Sequence, residues 1–148
     1  MKFRNTINKT VKGYLVIALF FTLVVLQSCG TTKYKFSNSV VVPAAEGSVK
    51  VKKDNNGNYA IELNIERLAE PKRLSPPKKI YVVWMETERN GRQNLGQLRS
   101  SSGWFSSTLT GSLTTVTSFK PTNFFITAED NANIQFPQGQ VVLSTGPR

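Results

Sequence analysis

The chain has 148 residues, one cysteine and no histidine, and it carries a formal net charge of +10 at pH 7. A single cysteine cannot form a disulfide within the chain, and histidine is the commonest metal ligand and general base in proteins. These counts exclude His-ligated metal sites and every serine–histidine or cysteine–histidine nucleophile pair. We therefore predict a protein that is not an enzyme and that holds no metal and no cofactor.

Residues 1–28 have the pattern of a secretory leader. Residues 1–13 carry four basic residues and no acidic one, and the thirteen residues 14–26 are apolar except for Thr22. A spanning helix needs about 20 apolar residues, whereas the apolar region of a signal peptide has about 7–15. The run therefore predicts a signal peptide over residues 1–28. An uncleaved N-terminal anchor, helped by tilt or bilayer thinning, is the alternative.

The segment Leu26-Gln27-Ser28-Cys29-Gly30 resembles the lipobox of bacterial lipoproteins. An aliphatic residue stands three positions before the cysteine, and a small residue stands directly before it. Gln27 departs from the family's pattern, in which this position is more often small or branched. The resemblance implies that Cys29 receives a diacylglycerol on its sulfur and that a signal peptidase cuts between Ser28 and Cys29. It also implies that residues 29–148, the mature chain, are held to the cell membrane through Cys29.

The mature chain is moderately basic. Four of the nineteen basic residues precede residue 29, which leaves fifteen basic and nine acidic residues and a net charge of +6. Outside the cytoplasm this charge favours solubility or contact with anionic envelope components, and we predict no nucleic-acid partner.

Residues 29–38 are short, polar and basic, and they predict a flexible tether between the lipid and the folded domain. They lack the acidic residues that some Gram-negative lineages place after the cysteine of surface-exported lipoproteins. We therefore predict that the protein is anchored in the outer membrane and faces the periplasm of a Gram-negative bacterium.

Two segments alternate apolar and polar residues with a period of two, as half-buried antiparallel strands do. They are residues 48–53 and 59–68, and Asn55-Asn56-Gly57 lies between them. A three-residue loop with a left-handed glycine keeps all apolar residues on one face, whereas a two-residue Asn56-Gly57 turn would mix the faces. The predicted register pairs Val49 with Leu63, Lys50 with Glu62, and Val51 with Ile61.

The segments that follow predict further strands and one long loop. Residues 69–79 contain three prolines and four basic residues, which predict a rim loop without helix or central strand. Residues 80–86 are apolar at both parities, as in a central strand covered on both faces. Asn90-Gly91 predicts a two-residue hairpin turn. The remaining predicted segments are a break over 100–103, one or two polar strands over 106–119, and apolar strands over 123–128 and 141–145.

About eight short strands and the absence of a helical period predict the fold class. We expect an all-β fold, an immunoglobulin-like antiparallel β-sandwich over residues 39–148 that follows the signal peptide.

Two groups of residues between 80 and 146 form a pattern of glycines and apolar positions. They are Tyr81-Val82-Val83-Trp84, Gly91, Gly96 and Leu98, then Phe125-Ile126-Thr127-Ala128-Glu129, Pro137-Gln138-Gly139, Val141-Val142-Leu143 and Gly146. In this pattern residues 80–146 resemble the extracytoplasmic domain of anti-sigma-K factors. The resemblance implies a module on the sensing side of a membrane. Family members carry a cytoplasmic sigma-binding segment and a spanning helix, which a lipoprotein leader replaces here, so sigma-factor binding is not implied.

Aromatic and basic residues provide the candidate binding sites. Trp104 and Phe105 lie in a glycine- and serine-rich stretch, where aromatic rings stack on sugars or peptides or plug the end of a sandwich. The adjacent Glu129 and Asp130 lack the spacing of a calcium loop, and we predict a solvated turn there. The basic residues of the rim loop, which would contact an anionic surface or form a solvated crossover, are Lys72, Arg73, Lys78 and Lys79.

Two hypotheses about function remain open. The first is a lipid-anchored, non-enzymatic envelope lipoprotein whose sandwich has a structural, sensory or protein-binding role. The second is a glycan- or cell-wall-binding module that uses Trp104, Phe105 and the basic loop 72–79.

Overall fold

A computed structural model describes residues 30–102 and 108–146, so the predicted sites Ser28, Cys29, Trp104 and Phe105 lie outside the described residues. Within the described part the chain forms two antiparallel sheets, which confirms the all-β sandwich with nine strands instead of about eight. The immunoglobulin-like arrangement stays a prediction. In these two ranges the structure contains no helix with the length and apolar character needed to cross a membrane.

The larger sheet has the strand order β1-β2-β3-β7-β6, and the smaller sheet has the order β5-β4-β8-β9. We call them the five-stranded and the four-stranded sheet. The rim loop between β3 and β4 contains one 3₁₀ turn, Pro71–Arg73, and is otherwise irregular, as its prolines predict. The strands are β1 Thr31–Lys35, β2 Glu46–Lys53, β3 Tyr59–Leu68, β4 Ile80–Thr87, β5 Arg92–Gln97, β6 Arg99–Ser102, β7 Leu109–Thr117, β8 Pro121–Glu129 and β9 Val141–Ser144.

The β2–β3 hairpin confirms the predicted register. Val51 lies opposite Ile61, and the large apolar residues Val49, Val51, Ile61, Leu63 and Ile65 all face the other sheet. The backbone N–H of Asp54 donates to the carbonyl of Asn58 at 2.8 Å and closes a three-residue loop. Gly57 has a φ of +86° there, a conformation that glycine adopts without steric cost. Alternation and turn chemistry are both local, so the sequence alone determines this hairpin.

Residues 31–35, which we predicted to be part of a flexible tether, form the edge strand β1. Each of its five residues has a partner on β2, from Thr31 opposite Lys52 to Lys35 opposite Ser48. Tyr34 explains the pairing, because its ring packs edge-on against Phe124 of the opposite sheet, with 5.2 Å between the ring centroids. One inward aromatic side chain therefore docks a segment whose composition is that of a linker.

The β4–β5 hairpin differs from the predicted two-residue turn. A turn at Asn90-Gly91 would place Arg89 opposite Arg92, whereas the structure places Glu86 opposite Arg92, with Arg92 Nε 3.2 Å from Glu86 Oε1. This register sets Leu95 on the core side, where it packs against the main core, and a bulge follows Asn94. Opposite charges and an inward leucine outweigh the local preference of the Asn-Gly pair.

The segment 100–103, predicted as a break, belongs in part to β6. The chain changes sheets at Leu98, which is buried and whose backbone N–H donates to the carbonyl of Tyr81 at 2.9 Å. β6 then pairs with β7, and β7 runs through Gly111 without interruption. A Cβ on Gly111 would lie 2.5 Å from a methyl group of Leu98, so this glycine makes room for the crossing side chain.

The buried phenol of Tyr81 predicts a pH dependence of stability. Its hydroxyl donates to the carbonyl of Ala69 at 2.9 Å, and burial raises the pKa of Tyr81 from 10.0 to about 12. Because the folded state disfavours the phenolate, this contribution to stability is complete below pH 10 and is lost as the pH rises towards 12.

We expect a Tyr81→Phe variant to be about 1 kcal/mol less stable than the wild type at pH 7, because the Ala69 carbonyl loses its donor. Above pH 10 its free energy of unfolding should fall less steeply with pH than that of the wild type. The two slopes should differ by up to about 1.4 kcal/mol per pH unit. Denaturant unfolding of both proteins from pH 7 to 11 measures the difference. Equal slopes would contradict the assignment to Tyr81.

Candidate functional site

The outer face of the four-stranded sheet carries a second apolar cluster. Val82, Trp84 and Phe125 are buried there, and Ile80 and Ile134 pack against them. The alternate side chains of β4, those between the residues of this second cluster, face the main core. This confirms the prediction of a central strand covered on both faces. An outer sheet face is normally solvated, so this face requires a cover.

Residues 130–140, the β8–β9 loop, provide the cover. Asn94 of β5 donates its two amide hydrogens to the carbonyls of Ala132 and Ile134, with N–O distances of 2.9 and 2.8 Å. Glu129 holds the other end of the loop, because its Oε1 accepts the backbone N–H groups of Gln138 at 3.1 Å and Gly139 at 3.0 Å. The loop is thus fixed across the sheet at both ends.

Glu129 corrects the prediction of a solvated turn. Its side chain is only 2% exposed, and the two backbone N–H groups satisfy the buried carboxylate. A Cβ on Gly139 would lie 3.1 Å from Glu129 Oε2 and would clash with the Ala128 carbonyl, so the close approach requires glycine. Asp130 is exposed to solvent, as predicted, and forms an ion pair with Lys78, with 2.7 Å between Lys78 Nζ and Asp130 Oδ2.

The aromatic residues under this loop form a layered arrangement. The Trp84 ring stacks on the Phe125 ring, with 6.2 Å between centroids and an angle of 10° between planes. The indole N–H of Trp84 donates to Thr127 Oγ1 at 2.8 Å. The guanidinium carbon of Arg92 lies 5.5 Å from the centroid of the Phe125 ring, within the range of a cation–π contact. Packing and hydrogen bonds therefore fix the orientation of Phe125.

A groove of about 390 Å³ lies beside this arrangement, between the strands and the end of the β8–β9 loop. Its volume falls within the range of small-ligand sites, which is about 300–1,000 Å³. Phe136, 72% exposed, neighbours Pro137 in the groove wall, and Val141 in the same wall is 43% exposed. The residues that line the groove are Glu86, Arg92, Asn123, Phe125, Pro137, Val141 and Ser144.

The polar side chains of the groove are bound to one another. Glu86 accepts a hydrogen bond from Arg92 Nε on one oxygen and from Asn123 Nδ2 on the other, both at 3.2 Å. The side-chain Oδ1 of Asn123 accepts a hydrogen bond from the hydroxyl of Thr145. This network fixes a polar rim around an apolar wall. Such a site recognises a ligand by shape and by the remaining hydrogen-bonding capacity of the rim.

The basic residues of the rim loop do not converge on a single site. Arg73 Nε lies 3.7 Å from Glu70, and Lys78 is paired with Asp130, so both are engaged within the loop or with its neighbour. Lys72 and Lys79 are exposed, and the Lys79 backbone N–H donates to the Glu129 carbonyl at 3.0 Å. No group of three or more acidic or cysteine residues within residues 30–102 and 108–146 is arranged to hold a metal ion.

Sequence reasoning missed the groove altogether. Its residues come from β4, β5, β8, β9 and the β8–β9 loop. Phe125, Pro137 and Val141 stand in the segments that resemble the anti-sigma-K domain, but that resemblance marks them as structural residues and not as a site. The one signal available was the apolar residues at both parities of residues 80–86, which predicted a cover on the outer face.

Comparison of the chain with protein-family models, with curated proteins and with solved structures returned no match. The proposed function therefore rests on the residues of this chain alone.

Proposed function

We propose that this protein is a lipid-anchored lipoprotein of the cell envelope whose sandwich is a non-enzymatic domain that binds another envelope protein. The leader and the cysteine of the lipobox-like segment support the anchor. The observation that carries the binding role is the groove on the outer face of the four-stranded sheet. The resemblance of residues 80–146 to an extracytoplasmic sensing module is compatible with such a role and stays a prediction.

The chemistry of the groove favours binding over catalysis. Both oxygens of Glu86 accept hydrogen bonds from neighbouring side chains, and Arg92 lies against an aromatic ring. A general acid or base needs a proton position that is open to the substrate, and this carboxylate is engaged on both sides. A fixed polar rim beside an apolar wall instead suits the recognition of a partner surface.

The exposed apolar side chains favour a protein as the partner. Val141 presents contact area at the groove wall, and the exposed Phe136 precedes Pro137 of that wall in the chain. Neither side chain belongs to the core of the described domain. Aromatic and aliphatic anchors of this kind dominate protein–protein interfaces when a partner's side chain buries them. We expect the partner to insert an apolar side chain against Val141 and to hydrogen-bond the Glu86–Asn123 rim.

A single charge in the groove wall tests this role. We expect Val141→Asp to weaken partner binding about tenfold or more, because the carboxylate would have to be desolvated at the interface. The matched control is Val116→Asp, the same substitution at a valine that is 64% exposed on β7 of the other sheet. Pull-downs of the full-length lipidated proteins from solubilised envelope, followed by titration of the recovered partner, measure both affinities.

Capture of a protein by the wild type does not by itself support the proposal. Loss of partner binding in Val141→Asp, together with retained partner binding in Val116→Asp, supports it. Equal binding by the two variants would contradict a role of the groove.

One observation favours glycan binding as a second candidate. Ser102 of β6 lies opposite Leu109 of β7, and Leu109 lies opposite Leu68 of β3. The residues on either side of 103–107, the range that contains Trp104 and Phe105 in the sequence, therefore lie at the end of the sheet where the rim loop begins. Lys72 of that loop is exposed. Glycan-array binding that is lost in Trp104→Ala and unchanged in Val141→Asp would favour this candidate over the groove.

A further inference from the structure

The start of β1 limits the distance between the sandwich and the membrane. β1 begins at Thr31, only two residues after Cys29, and it is paired with β2 from its first residue. An extended chain spans at most about 3.6 Å per residue, so the Thr31 backbone lies within about 7 Å of the Cys29 backbone. If acyl chains hold Cys29 in the bilayer, the corner of the five-stranded sheet at Thr31 lies at the lipid headgroups.

Four lysines lie on the outer face of the sheet at this corner. They come from β1 and β2, and the side chains of both strands alternate so that these four point away from the core. Lys33 lies directly opposite Lys50, and Lys52 lies opposite Thr31. We call them the β1–β2 lysine patch: Lys33, Lys35, Lys50 and Lys52.

The lysine patch is poorly compensated by acidic residues. Lys50 Nζ lies 4.0 Å from Glu62, and the other three lysines form no ion pair with any residue that the structure describes. The acidic residues Glu46 and Glu66 lie opposite one another at the far end of this face, where they pair with Arg67. Like charges opposite one another destabilise a sheet, so the fold alone does not favour this arrangement.

Protection of a sheet edge explains only half of the patch. Lysines on an edge strand prevent other chains from pairing with it, and β1 is an edge strand. Lys50 and Lys52 lie on β2, which is paired on both sides, by β1 and by β3. An anionic surface in front of the whole face accounts for all four lysines.

We propose that the β1–β2 lysine patch docks on anionic phospholipid headgroups of the membrane that holds the protein. The inference rests on the proposed lipidation of Cys29, which fixes the corner at Thr31 within a Debye length of the surface, about 8 Å at physiological salt. A basic residue near an anionic bilayer strengthens association roughly fivefold. The domain therefore lies with the five-stranded sheet towards the lipid, and the groove on the opposite sheet faces away from it.

Fluorescence quenching in vesicles of defined composition tests the docking. The full-length lipidated protein is reconstituted into vesicles of phosphatidylcholine alone, or with one-third phosphatidylglycerol, each with a trace of headgroup-located quencher lipid. Because Cys29 is the only cysteine and the proposed diacylglyceryl group blocks its sulfur, an introduced cysteine takes up the only fluorophore. One label site is Ala60→Cys, exposed and opposite Lys52, and the other is Gln97→Cys, exposed on β5 of the other sheet.

We expect quenching at position 60 in the anionic vesicles, weaker quenching there in neutral vesicles, and little at position 97 in either. Lys33→Gln with Lys52→Gln should weaken the docking equilibrium roughly 25-fold. The matched control, Lys72→Gln with Lys79→Gln, has the same net charge and removes two exposed lysines of the rim loop, so it should retain the quenching.

The outcomes separate the two proposals. Acylation is read beforehand by mass spectrometry, and an unmodified Cys29 would overturn the anchor and the docking that rests on it. An acylated protein whose label at position 60 is quenched equally in both vesicles would overturn the docking alone. Equal losses in the patch variant and the rim-loop control would also overturn it, because net charge and not the patch would then be the cause.

Discussion

A Cys29→Ala variant is expected to remain in the membrane fraction as the longer precursor and to take up no labelled fatty acid. Without the thiol no diacylglycerol is transferred, and the peptidase that requires the modified cysteine leaves the leader uncut. The apolar residues 14–26 would then hold the precursor. The wild type should be shorter by the 28 residues of the leader and should carry the label.

The matched control for this variant is Ser28→Ala, which keeps a small residue directly before the cysteine and should be processed like the wild type. Two or more acyl chains anchor stably, whereas one chain anchors only marginally, so the processed protein should resist extraction with salt. Pulse labelling and gel migration of the three proteins give the answer. Maturation of Cys29→Ala to the size of the wild type would refute the lipoprotein assignment.

Replacement of Trp84 by alanine should lower the free energy of unfolding by about 3–5 kcal/mol. Trp84 is fully buried, stacks on Phe125 and donates its indole N–H to Thr127. The substitution leaves a cavity under the β8–β9 loop and a buried hydroxyl without its donor. Since domains of this size are stable by about 5–15 kcal/mol, the loss is a large fraction of the total.

Two further variants separate the contributions of Trp84. Trp84→Phe keeps an aromatic ring but removes the N–H and part of the ring volume, so it should cost about 1–3 kcal/mol, less than Trp84→Ala. Val116→Ala, at an exposed position of β7, should change the stability by less than about 0.5 kcal/mol. Denaturant unfolding measures all three. A loss below about 1 kcal/mol in Trp84→Ala would show that the second apolar cluster contributes little to the fold.

Local signals determined the fold class and one complete hairpin. The alternation of residues 48–53 and 59–68 fixes which side chains face the core, and Asn55-Asn56-Gly57 fixes the loop length, so the register of β2 and β3 follows. The central position of β4 follows in the same way, because apolar residues at both parities need cover on both faces. These features depend on neighbours in the sequence, and the pattern therefore contains them.

The tertiary structure decided the features that depend on distant residues. Thr31–Lys35 has the composition of a tether and became a strand because Tyr34 reaches Phe124. Glu129 lies in a segment with the composition of a solvated turn, yet its carboxylate is buried and holds the β8–β9 loop, because two backbone N–H groups donate to it. In both cases one long-range contact outweighs the local preference, since a docked ring or a satisfied buried carboxylate contributes more than a weak propensity.

The candidate site belongs entirely to this second group. The groove joins Arg92 and Glu86 of one hairpin to Phe125 on β8 and Val141 on β9. The lysine patch likewise required the pairing of β1 with β2, which placed Lys33 opposite Lys50. The sequence by itself determined the all-β class, the β2–β3 hairpin, the central position of β4 and which segment resembles a lipid anchor. Only the tertiary structure brought the groove together and set the lysines on one face, because both surfaces arise from pairing between separate strands.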